Sequence, residues 1–134
     1  MSANTPLRVV IADDDAIARR VIKHTLQAAG STVVAEAKDG REAVEFGLMY
    51  RPDVVVLDIA MPWLDGILAT RRILSAEPDL PVVVLTGAGE PELGLHALQA
   101  GAADVVPKDA DLDALAGAVE RAVRRVLPIS RAAG

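Results

Sequence analysis

Carboxylate, hydroxyl and ammonium side chains stand in this chain at the ends of short apolar runs. Asp13, Asp14 and Asp15 follow Val9-Val10-Ile11-Ala12, and Asp58, with Ile59-Ala60-Met61-Pro62 behind it, follows Val54-Val55-Val56-Leu57. Thr86-Gly87-Ala88 follows Val82-Val83-Val84-Leu85, and Lys108 sits between Pro107 and Asp109 after a weaker run at 104–106. If Asp13, Asp14 and Asp58 meet, they repel: two unit charges about 4 Å apart cost on the order of 4 kcal/mol at an effective dielectric near 20. A cation is needed to hold them together. Oxygen-only ligands in an incomplete cage suit Mg²⁺, which keeps several waters and is commonly completed by a phosphoryl oxygen. Lys108 supplies a point charge for another phosphoryl oxygen, and the Thr86 hydroxyl a donor for a third. A carboxylate is also a nucleophile towards phosphorus. An aspartyl-phosphate forms readily where a metal and a lysine neutralise the charge that develops in transfer.

Those groups converge only if the runs lie side by side in one direction. The runs at 9–12, 32–35, 54–57 and 82–85 are apolar and rich in β-branched residues, with no in-and-out alternation. Such strands are buried on both faces, as in a parallel sheet covered by helices. Helices are expected over 16–29, 40–50, 66–76, 91–100 and 111–127, with Gly30, Pro52, Pro78 and Gly101 as punctuation. In the first, Ala18, Val21, Ile22, Thr25, Leu26 and Ala29 form the apolar stripe, leaving Arg19, Lys23, His24 and Gln27 to face water. Strand and helix thus alternate five times, which predicts a doubly wound α/β domain with right-handed crossovers. In a parallel sheet every strand ends on the same edge, where ligands bind, so the acidic, hydroxyl and ammonium groups gather there.

Composition agrees. The 134 residues are 51% hydrophobic, with one Trp, one Tyr and one Phe, no Cys and a net charge of −5, which suits one aliphatic-cored domain. Without Cys, zinc-finger and redox-thiol functions are excluded. The acidic balance gives no support to direct nucleic-acid binding by this segment, which calls for a basic patch. No apolar run approaches the roughly 20 residues that span a bilayer. Residues 1–8 lack the basic-then-apolar order of a secretion signal, so a cytoplasmic protein with no membrane attachment is expected. Residues 1–127 are expected to form the domain, and 128–134 a frayed tail or the start of a linker.

Structural roles compete with the chemical ones. An Asp is a favoured helix N-cap, but one cap needs one carboxylate; Asp15 serves for that, leaving Asp13 and Asp14 for metal. Asp65 and Gly66 are read as a cap and a turn. Trp63 is expected to be exposed, and His24 and His96 to be solvated. Arg121, Arg124 and Arg125 lie opposite the stripe of Leu112, Leu115, Ala116, Val119, Ala122, Val123 and Val126 and form a solvated face. Leu93 and Leu95 fall off the Gly94, Ala97 and Leu98 stripe of the fourth helix and offer a partner surface.

Taken in order, these segments resemble the receiver domains of two-component response regulators, over about residues 7–127. The likeness is carried by Val9-Val10-Ile11-Ala12-Asp13-Asp14, by Leu57-Asp58-Ile59-Ala60-Met61-Pro62-Trp63-Leu64-Asp65-Gly66, by Leu85-Thr86-Gly87, and by Gly101-Ala102-Ala103-Asp104 leading to Lys108. The resemblance implies a flavodoxin-like sheet of order 2-1-3-4-5. It implies that Asp58 is the phosphoacceptor, that Asp13, Asp14, Asp58 and the Ala60 carbonyl hold Mg²⁺, and that Thr86 and Lys108 contact the phosphoryl group. The implied partner is a sensor histidine kinase or phosphotransfer protein, with homodimerisation through helix 4, strand 5 and helix 5 in the phosphorylated state. Two positions depart from the pattern. Asp109 follows Lys108 where the family often has Pro, and Val105 stands where many members place the Tyr or Phe of an aromatic rotamer switch. Lys108-Asp109-Ala110 looks like receivers that precede a helix-turn-helix domain and regulate transcription.

Two other functions compete. A haloacid-dehalogenase-type phosphatase would use Asp13 as nucleophile and Asp15 as general acid, but that family's late acidic pair is missing and the stretch around Asp58 goes unexplained. A phosphorylation-independent binding module would fit Val105 and Asp109, against an intact set of Asp13, Asp14, Asp58, Thr86 and Lys108. Ala60 and Ala88 are small, so they are expected to restrict water little and to leave the phosphoryl group short-lived.

Overall fold

The computed structural model describes residues 5–87 and 91–133, with the backbone alone for 112 and 126–133. Five strands, β1 (Arg8–Ala12), β2 (Thr32–Ala37), β3 (Val54–Asp58), β4 (Val82–Thr86) and β5 (Asp104–Pro107), alternate with five helices. The helices are α1 (Ala16–Ala28), α2 (Gly40–Met49), α3 (Gly66–Ala76), α4 (Pro91–Gln99) and α5 (Leu112–Ala133). All strand pairs are parallel, in the order β2-β1-β3-β4-β5, the flavodoxin-like arrangement expected from the resemblance.

The central strands place successive residues into two cores. Val10, Val55, Leu57, Val82 and Val84 pack with Ala43 of α2, Ala69 and Ile73 of α3 and Ala97 of α4. Val9, Ile11, Val54, Val56, Val83 and Leu85 pack on the opposite face with Ile22 and Leu26 of α1 and Leu115, Val119 and Val123 of α5. Each buried Val, Leu or Ile among them stabilises the fold by roughly 1.5–3 kcal/mol relative to exposure, so the sheet's position is strongly fixed.

Four elements differ from expectation. β2 is not buried on both faces: Val33, Val34 and Ala35 are half-buried because the strand lies at the sheet edge. On α1, Val21 and Ala29 are exposed rather than part of the buried stripe. α5 continues past residue 127, through Pro128, to Ala133, where a tail was expected. On α4 the exposed leucines are Leu95 and Leu98, while Leu93 packs partly against the core. The order is set by the β4 and β5 packing of Gly94 and Ala97, which turns Leu98 outward and Leu93 in.

Candidate functional site

β1 ends in Asp13, whose backbone N–H donates to the Ala37 carbonyl of β2 at 3.0 Å, carrying the sheet's pairing one residue into the turn. The next two residues lead into α1. Asp15 is its N-cap, with Oδ1 accepting from the Ile17 N–H at 2.9 Å, and the Asp15 N–H donates to Asp13 Oδ1 at 2.9 Å. Asp13 is therefore fully buried and fixed, whereas Asp14 is exposed. Capping commits Asp15 to the backbone of α1.

β3 delivers Asp58, 4% exposed, beside Asp13. The chain then turns sharply. Ile59 N–H donates to the Leu85 carbonyl, Gly66 N–H to the Ile59 carbonyl, and Leu64 N–H to the Pro62 carbonyl across Trp63. Gly66 is indispensable to this turn, since a Cβ there would lie 2.5 Å from the Asp58 carbonyl oxygen and 2.6 Å from Ile59 Cα. Asp65 caps α3 by accepting from Ile67 and Leu68, the role expected of it. Trp63 is 79% exposed, as expected, and has a φ of 69°, a left-handed conformation unusual for a bulky side chain.

β4 ends in Thr86, which is buried, and the Thr86 carbonyl accepts from the Lys108 N–H at 2.8 Å. That bond extends the β4–β5 ladder to Lys108 and aims it inward. Its Nζ donates to Asp58 Oδ2 at 2.9 Å and lies 2.8 Å from Asp13 Oδ2. The Lys108 ammonium thus bridges the two buried carboxylates. Asp13, Asp14 and Asp58 each offer a carboxylate oxygen, all within 4.8 Å of one another. The sheet thus brings together the side chains of Asp13, Asp14, Asp58 and Lys108, and ends β4 at Thr86, whose backbone holds that of Lys108. Ala60 is also at this edge, exposed, with its N–H donating to Asp58 Oδ1 at 3.3 Å. Ala88 lies outside the described residues.

Three carboxylates face one ammonium here, and the protonation equilibria follow. Burial raises the Asp58 carboxyl above its ordinary 3.8, the Lys108 hydrogen bond opposes that shift, and the Asp13 charge adds to it. For Lys108, burial alone would lower the ammonium, but its contacts with Asp13 and Asp58 outweigh burial and raise it above 10.5. The ammonium therefore stays charged at every physiological pH. Three carboxylates against one ammonium, offering an all-oxygen donor set, fit a hard divalent cation such as Mg²⁺.

The sequence reading missed one residue. Arg19, expected to face water, is half-buried and donates from its guanidinium to the Asp13 carbonyl at 2.7 Å. His24 and His96 are exposed, as expected. The basic face of α5 is less free than expected, since Arg121 approaches Asp104 of β5 at 3.8 Å and Arg125 donates to the Ala103 carbonyl at 2.8 Å.

A parallel sheet of this order, with an acidic trio, a hydroxyl and a lysine along the carboxyl edge of its strands, defines a phosphoryl-handling α/β domain. The chain belongs to the response regulator receiver domain family, whose pattern matches residues 9–120. It is 38% identical over 123 residues to the response regulator MprA of Mycolicibacterium vanbaalenii, covering 92% of this chain and 53% of that protein. It is 44% identical over 110 residues to a protein-glutamate methylesterase/protein-glutamine glutaminase of Myxococcus xanthus, covering 81% of this chain and 32% of the relative. The chain thus spans about half of one relative and a third of the other. Among solved structures, a LuxR-family two-component response regulator from Aurantimonas superposes with a TM-score of 0.85 at 31% identity, covering 90% of this chain and 86% of that one. Among the described residues no helix is long and apolar enough to cross a membrane.

Proposed function

We propose that Asp58 accepts a phosphoryl group from a phosphohistidine of a sensor histidine kinase or phosphotransfer protein in the cytoplasm. The observation that carries this reading is the buried Asp58 carboxylate held 2.9 Å from Lys108 Nζ at the edge where Asp13, Asp14 and Thr86 also end. An Asp58 oxygen attacks phosphorus, the phosphorus–nitrogen bond breaks, and the departing imidazole keeps the electron pair and takes a proton from solvent. Lys108 neutralises charge on one transferring oxygen, and the Thr86 hydroxyl donates to another. Asp13, Asp14, Asp58 and the Ala60 carbonyl would hold Mg²⁺. That ion, when bound, offsets the charge of the carboxylates and of the phosphoryl oxygens. Reversal to the free carboxylate follows when water attacks phosphorus and releases inorganic phosphate, so the domain promotes its own modification and its loss without turning over a metabolite.

The same reading assigns the exposed Leu95 and Leu98 of α4, with β5 and α5, to the output or homodimer face. Residues 1–127 form the switching unit, α5 leads from it into 128–134, and transcription control is the output that Lys108-Asp109-Ala110 favours. Beryllofluoride with Mg²⁺ should alter amide exchange in α4 and the sedimentation of the protein; unchanged exchange and sedimentation would remove this face from the account. The acceptor assignment is tested by incubation with acetyl phosphate and Mg²⁺ followed by borohydride, which reduces an acyl phosphate to an alcohol. Peptide mapping should locate the reduced residue at Asp58, and reduction elsewhere would contradict the assignment.

A further inference from the structure

The β1–α1 turn carries two of the three acidic side chains, yet only Asp13 is buried. Asp14 is exposed, and what orients it is the backbone on either side. That backbone is held across its width. The Asp13 N–H is bonded to Ala37 of β2, and the Asp13 carbonyl accepts from Arg19 at 2.7 Å. Arg19 is itself positioned: its Nε lies 3.6 Å from Glu36 Oε1 of β2, and the other carboxylate oxygen of Glu36 is occupied by Lys23 Nζ at 3.1 Å. The Arg19 side chain is 20% exposed, so this guanidinium is substantially withdrawn from water. Glu36, Arg19 and the Asp13 carbonyl therefore form a strap from the edge strand over the first turn of α1 to the peptide joining Asp13 to Asp14.

From this geometry we infer that Arg19 is a positioning residue for divalent-cation binding, acting through the Asp13–Asp14 peptide rather than by touching the ion. The inference rests on the proposed Mg²⁺ site and adds a residue to it. Groups that orient metal ligands from behind typically change affinity by about 10 to 100-fold when removed. Arg19 is also a cation close to an acidic cluster, and its charge alone would oppose Mg²⁺. The two effects have opposite signs, which makes them separable. If the strap governs, removing Arg19 weakens Mg²⁺ binding although a positive charge has gone.

The test is calorimetric titration of Mg²⁺ alone into the wild-type chain, Arg19→Met, Arg19→Lys and Arg20→Met, with melting temperatures measured alongside. Arg20 is exposed on the same helix turn and serves as the charge control. Arg19→Met should raise the Mg²⁺ dissociation constant on the order of tenfold, with Arg20→Met close to wild type. Arg19→Lys keeps the charge but cannot span both Glu36 and the carbonyl, and should weaken binding less than Arg19→Met. Unchanged or tighter binding by a folded Arg19→Met, with or without a lower melting temperature, would overturn the inference. If Arg19→Met does not fold, Arg19→Lys decides: weaker binding than wild type supports the strap, and equal binding overturns it. Absence of Mg²⁺ binding by the wild type would overturn the proposed site and this inference with it, whereas wild-type binding with an indifferent Arg19→Met overturns the inference alone.

Discussion

Asp58 is a carboxylate whose charge the fold resists. Its pKa is raised chiefly by burial, so the folded state favours the neutral form relative to the unfolded chain. Stability from this source is therefore greatest below pH 3.8, falls as pH rises from there through the raised pKa, and stays low above it. Asp58→Asn removes the titration. It should stabilise the protein at pH 7, a difference that shrinks towards zero as the pH is lowered below 4 and is readable by urea denaturation at several pH values. Lys108 has the opposite sign. Its raised pKa contributes stability that is present below 10.5 and is lost as pH climbs through the higher folded value. Replacing it by Met leaves Asp13 and Asp58 facing each other, and should cost about 1–2 kcal/mol at neutral pH after discounting for its one-third exposure. Asp13, Asp58, Thr86 and Lys108 were legible because each ends a recognisable strand. Arg19 was not: its helical spacing puts it on the polar face, and only a guanidinium long enough to fold back over the turn reaches Asp13.

The β3–α3 connection shows how tightly one element constrains the site. Gly66→Ala would drive a Cβ into the Asp58 carbonyl and Ile59 Cα, backbone atoms that cannot yield locally. We expect a loss of about 3 kcal/mol or more, measured by chemical denaturation. Trp63, by contrast, stores strain: its left-handed φ of 69° and its exposure mean that little burial offsets the conformation. Trp63→Asn, better suited to that region, should stabilise by about 1 kcal/mol in the same assay. The four strong strands were legible because runs of Val and Leu without alternation have few other uses. The half-burial of β2 was not, since an edge position depends on strand order rather than composition. The helix expected over 111–127 continues through Pro128 to Ala133. On α4 the periodicity was right in kind but placed Leu98 inward, because the stripe is centred on the small residues Gly94 and Ala97 that approach β4 and β5.

For the whole molecule, one parallel sheet both forms the core and aligns the chemistry, because every strand delivers its last residue to the same edge. Binding a cation there should couple to global stability. Mg²⁺ at about a hundredfold excess over its dissociation constant stabilises a folded state by roughly 2.7 kcal/mol, so the melting temperature should rise with Mg²⁺ and fall back with a chelator. No dependence on Mg²⁺ would mean that the acidic trio is balanced by Lys108 alone. The Val105 position, half-buried and in contact range of Gly94, leaves α4 resting on small side chains where an aromatic switch is absent. The central claim remains the acceptor. The most direct measurement is the intact mass of wild type and Asp58→Asn after incubation with acetyl phosphate, with and without Mg²⁺. Wild type with Mg²⁺ should gain one phosphoryl group and the variant none. An equal gain in both, or none in wild type even with phosphorylated kinases as donors, would contradict it.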